Sequence, residues 1–74
     1  MHTLPNRIEL FAAPIEGIVD RPADATRLGR VKTMGTTWNA RLYQFEDQIA
    51  IASGDRVLVV GRQGNTLLIV PLMD

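Results

Sequence analysis

The side chains able to do chemistry are few and poorly matched to one another. Cysteine is absent and the only histidine is His2. A thiol nucleophile, a thiolate zinc site, a disulfide framework and a histidine metal cluster are therefore excluded. Ser53 and the threonines remain as hydroxyl nucleophiles, but each needs a base. The only lysine, Lys32, alternates onto the outward side of a strand, and no histidine stands at useful spacing. Glu46-Asp47 is a carboxylate pair on adjacent loop positions, where side chains diverge instead of flanking a scissile bond. Asp20 and Asp24 flank Pro22, far short of the oxygen count that calcium takes, and turn capping explains them better. From this set we expect no catalytic, metal-binding or cofactor-binding residue.

What remains is arginine. Eight basic and eight acidic residues balance to a net charge of zero, and all the basic ones except Lys32 are Arg. Neutrality argues against a nucleic-acid binder that works by neutralising phosphates. A local stripe is still available. Arg30, Lys32 and Arg41 fall on the outward parity of two successive strands, with Tyr43 beside them. This makes a single-stranded nucleic-acid binder the alternative reading. It is weakened because such binders stack bases on several aromatics, and Trp38 falls on the opposite, inward parity.

The elements that position these residues are strands. Val57–Val60 and Thr66–Val70 are β-branched, apolar runs, and Arg62-Gln63-Gly64-Asn65 between them reads as a hairpin connection. Gly54 closes the loop leading in, and Pro71 ends the last strand by withholding a donor. Upstream, Ile15–Asp20 reads as a first strand and Arg21–Ala25 as a loop. Thr26–Met34 is a second strand, with Gly29, Val31 and Thr33 on one face and Leu28, Arg30, Lys32 and Met34 on the other. Gly35 marks a turn. Thr36–Tyr43 is a third strand, with Trp38, Ala40 and Leu42 opposed to Asn39, Arg41 and Tyr43. Gln44–Gln48 is a polar connection and Ile49–Ala52 a short apolar approach to the closing hairpin.

Five short strands in a chain of 74 residues predict an all-β fold: a small five-stranded OB-type β-barrel, antiparallel and Greek-key. Closure removes the edges that an open sheet exposes. The inward set is Val19, Val31, Trp38, Ala40, Leu42, Ile51, Val57, Val59, Leu67 and Ile69. Residues 1–14 are expected as an N-terminal arm, stopped by Pro14, and 15–74 as the barrel. No apolar run is long enough for a transmembrane helix, and the start of the chain lacks the layout of a secretory signal. A soluble domain is expected, cytoplasmic or membrane-peripheral.

The last two strands are apolar on both faces. Leu58, Val60, Leu68 and Val70 alternate with the inward set, and something must cover them. Candidates are the Ile8–Phe11 arm, a second copy of the chain, or another protein. The expected interaction surface is thus Leu58, Val60, Leu68 and Val70, with Arg30, Arg41, Arg56 and Arg62 as rim contacts, since the planar guanidinium pairs carboxylates and stacks.

The ordered combination Gly29-x-Val31-x-Thr33-x-Gly35-Thr36-Thr37-Trp38-x-Ala40, Ile51-Ala52-Ser53-Gly54-Asp55-Arg56-Val57-Leu58-Val59-Val60 and Gly64-Asn65-Thr66-Leu67-Leu68-Ile69-Val70-Pro71 resembles the C-terminal soluble domain of the NfeD family, over about residues 17–72. The resemblance implies an OB-type barrel acting as a non-catalytic interaction module. It also implies stomatin- or prohibitin-like membrane proteins as partners, in membrane-associated assembly or quality control. Family members usually carry transmembrane helices ahead of this domain, so a membrane-anchored parent is implied as well. Homo-oligomerisation is a further expectation.

Overall fold

The computed structural model describes residues 7–24, 27–43 and 50–72. The expected polar connection 44–48, with Glu46-Asp47, and the first six residues of the arm lie outside them. The described chain is all strand and turn: β1 (Ile8–Arg21), β2 (Ala23–Asp24), β3 (Gly29–Thr33), β4 (Thr36–Leu42), β5 (Ala50–Ile51), β6 (Arg56–Gln63) and β7 (Thr66–Pro71). Five of them close a barrel in the order β1-β3-β4-β7-β6, and β2 pairs with β5 in a separate two-stranded sheet. That small sheet was not anticipated, because two-residue strands show no period.

The small five-stranded barrel is as expected, with one pair outside its antiparallel pattern. Strands β4 and β7 run parallel, pairing Asn39 with Thr66 and Leu42 with Ile69. The reason is arithmetic: a closed ring with an odd number of strands cannot alternate direction all the way round. The other barrel pairs are antiparallel.

Alternation fills the interior. Val19, Val31, Ala40, Leu42, Ile51, Val57, Val59, Leu67 and Ile69 form one buried cluster. Each Val, Leu or Ile side chain among them, taken fully from water, contributes about 1.5–3 kcal/mol. Trp38, expected inside with them, is half-buried and packs against the cluster with Phe11 and Ile15. Among the described residues Thr33 is the buried polar one, and its hydroxyl donates to the Glu16 carbonyl at 3.0 Å.

The hairpin between β3 and β4 turns on Met34 and Gly35, with φ of 52° and 80°. Two positive φ values give the mirror-image turn that matches strand twist. Glycine takes that conformation freely, whereas Met34 bears about 1–2 kcal/mol of steric cost.

Residues 8–14 are continuous with the rest of β1. Ile8–Leu10 pair with Gln63–Gly61 of β6, and the register resumes only at Ile15–Val59. Pro14, which has no N–H to give, lies in the interruption; the strand runs through it instead of stopping there. At the crossing, Gly61 is a close approach. A Cβ there would collide with the Glu9 carbonyl oxygen and come within 3.1 Å of the Leu10 side chain.

Candidate interaction surface

The expected surface lies on the outer side of β6 and β7, and the register shows what it consists of. Leu58 pairs with Glu16 on one side and Val70 on the other. Leu58, Val60 and Val70 are half-buried. Val60 occupies the position where the β6–β7 register shifts, between Val59 and Gly61.

Leu68 departs from expectation: it is fully buried and cannot serve as an exposed contact. Its neighbours Leu67 and Ile69 belong to the interior cluster, so alternation alone would turn Leu68 to solvent. Its cross-strand partner is Gly61, which has no side chain, and Leu10 reaches into the space that a side chain there would fill. The outer face is closed at this level and more open at Leu58 and Val70.

The four expected rim arginines fall into two kinds. Arg56 Nε donates to Glu16 Oε2 at 2.7 Å, and Arg62 Nε to Glu9 Oε1 at 3.3 Å. Both pairs are about half exposed, so each contributes at most about 1 kcal/mol. They tie β1 to β6 across its length. Sequence reasoning missed Glu9 and Glu16, because opposite charges become neighbours only once the register is known. Arg30 and Arg41 form no ion pair among the described residues. Arg30 pairs with Asn39, and Arg41 lies two residues further along β4 on the same outer face. Lys32 is exposed on that face too, whereas Tyr43 is half-buried with its backbone N–H donating to the Ile69 carbonyl. The basic stripe therefore exists as a geometric fact, with one partly available aromatic beside it.

Two of the hydroxyl side chains, Thr33 and Ser53, are engaged in structure. Ser53 Oγ donates to the Asp20 carbonyl at 3.2 Å. Its loop is stitched by Asp55, whose carboxylate accepts from the Ala52 N–H at 3.0 Å, and by a Gly54 N–H to Val19 carbonyl bond of 2.7 Å. Asp24 exchanges backbone hydrogen bonds with Arg27. Among the described residues no three His, Cys, Asp or Glu side chains converge on a metal-sized space, and no helix is long and apolar enough to cross a membrane.

This architecture recurs in solved structures. The chain is similar to the C-terminal domain of stomatin operon partner protein 1510-C from Pyrococcus horikoshii, at 30% identity and TM-score 0.69, covering 82% of this chain and 88% of that one. It is also similar to the soluble domain of a membrane protein implicated in regulation of membrane protease activity from Corynebacterium glutamicum. That match has 27% identity and TM-score 0.68, and covers 80% of this chain and 89% of the other. No curated protein gives a significant match. A family model described as the NfeD-like C-terminal, partner-binding domain matches residues 16–71, from the Arg56-bound Glu16 to the proline that ends β7. With the match taking in all of the barrel but the first half of β1, the chain belongs to the NfeD family through its C-terminal, partner-binding domain.

Proposed function

We propose that this domain is a non-catalytic docking module that holds a stomatin- or prohibitin-like membrane protein, in membrane-associated assembly or quality control. It does so as a soluble unit at or near a membrane. The observation that carries the reading is the family match over residues 16–71 to a partner-binding domain. The kinship with a stomatin operon partner protein supports the class of partner. The contact is the open part of the outer face, Leu58, Val60 and Val70, bordered by Arg41 on β4 and by Arg56 and Arg62 on β6; Arg30, on β3, lies two strands from either β6 or β7. Half-buried apolar side chains with arginine at their border have the composition of an interface centre and rim.

The test is calorimetric titration of the purified chain with a stomatin-like protein from the same organism. Leu58→Asp should abolish binding while leaving the far-UV spectrum of the barrel unchanged. Wild-type and Leu58→Asp chains that bind equally would refute the assigned face. Unfolding of Leu58→Asp would show Leu58 to be part of the core. Binding of a labelled oligonucleotide that weakens steeply with salt would transfer the function to Arg30, Lys32 and Arg41.

A further inference from the structure

The opposite side of the barrel has a different character. In the ring β1-β3-β4-β7-β6, β3 is the strand that touches neither β6 nor β7. Four cations gather on its outer side. Arg21 is the cross-strand partner of Arg30, and Ile18 that of Lys32. Arg41 follows on β4, beyond Asn39, the other partner of Arg30. Arg21, Lys32 and Arg41 are exposed and Arg30 is half-buried. Among the described residues none of the four is held in an ion pair. The carboxylates alongside on β1 are Asp20, in the register shift between Val19 and Arg21, and Glu16, which Arg56 already holds. On a chain of zero formal charge, this face is positive.

Two aliphatic side chains stand among those cations. Ile18, beside Lys32, is 44% exposed, and Leu28, just ahead of β3 on the parity of Arg30, is 53% exposed. A lone exposed leucine needs no explanation. The contrast with β6 is what matters. There the barrel sets Glu16 and Glu9 against Arg56 and Arg62, whereas around β3 it leaves cations unanswered and aliphatics bare.

We propose that this face lies on an anionic lipid bilayer. The cations reach the phosphate level, while Ile18 and Leu28 enter the boundary between headgroups and acyl chains. Charge complementarity calls for an anion, and the aliphatics choose among anions. A nucleic acid would need stacking platforms, and Tyr43, the ring beside the stripe, is half-buried. An acidic protein would pair the cations but set carboxylates against Ile18 and Leu28. A bilayer offers phosphate and hydrocarbon within one side chain's length of each other. The inference deepens the reading of a docking module at a membrane, and rests on it. With β3 towards lipid, the β6–β7 face points away and stays open to the partner.

Cosedimentation with vesicles tests it, one set of phosphatidylcholine alone and one with about one-third phosphatidylglycerol. The chain should half-saturate on the mixed vesicles at about 1 mM lipid in about 0.02 M salt. Pure phosphatidylcholine should bind about a hundredfold more weakly, and about 0.5 M salt should remove most of the difference. Lys32→Gln should weaken binding to the mixed vesicles about fivefold, and Arg30→Gln with Lys32→Gln about 25-fold. Leu28→Ser should weaken it about threefold. Far-UV circular dichroism checks each fold; if the double variant unfolds, Lys32→Gln on its exposed side chain carries the charge test alone. Equal binding to both vesicle sets, no binding at about 10 mM lipid, or variants that bind as the wild type does would overturn the proposal. A loss from Lys32→Gln with none from Leu28→Ser would also overturn it, since an anion without hydrocarbon would then suffice. So would displacement from the mixed vesicles by an octathymidylate or a hexaglutamate at micromolar concentration, which would give the face to a nucleic acid or to an acidic protein. Vesicle binding is measured with no partner protein present, so it and the stomatin-like reading fail separately.

Discussion

Truncating Leu68 to Ala asks whether the outer side of β7 is sealed or open. Leu68 is fully buried, whereas Leu58 and Val70 on the same face are half-buried. Removing a buried leucine side chain costs about 2–5 kcal/mol, more where the surroundings cannot collapse. Here the cross-strand neighbour is Gly61, which has nothing to swing into the void, so we expect about 3–4 kcal/mol. A chain of 74 residues carries about 4–11 kcal/mol of stability in total, so Leu68→Ala removes a large share of it. Leu58→Ala takes away a half-buried side chain and should cost about 1 kcal/mol. Urea unfolding followed by far-UV circular dichroism measures both. Equal losses, within about 0.5 kcal/mol, would refute the claim that these two outward positions differ in kind.

Gly61→Ala should cost about 1–3 kcal/mol, because the new methyl meets the Glu9 backbone; amide exchange should quicken at Ile8–Leu10 before the rest of the barrel. Met34→Asn should stabilise the fold by about 1 kcal/mol, read as a rise in the urea midpoint with unchanged slope. Glu16→Gln should change stability by less than about 1 kcal/mol, since its ion pair with Arg56 is solvated; a larger loss would mean that the pair is held more rigidly than its exposure implies.

Much of the fold was legible because a strand's period of two is a strong constraint. Val31 and Ala40, or Val57 and Val59, could be assigned to the interior from alternation alone. Trp38 followed the parity but stayed half-buried, because it sits near the barrel's end where the turns leave a cleft. Three things could not be read. The parallel β4–β7 pair follows from closure, which composition does not announce. The passage of β1 through Pro14 depends on an interrupted register, invisible in a stretch too short to show its period. Leu68 was misplaced because alternation gives a side chain's direction and says nothing of what lies over it. The surface was harder still. Arg56 and Arg62 look like free rim cations until the register brings Glu16 and Glu9 opposite them.

The central claim is that the domain's work is to be held by another protein. Sedimentation velocity of the fluorescently labelled chain, alone and with a purified stomatin-like protein from the same organism, tests it most directly. The account predicts that the slow boundary of the small domain disappears into a fast-moving complex, and that Leu58→Asp restores it. A boundary unmoved by saturating stomatin-like protein would contradict it.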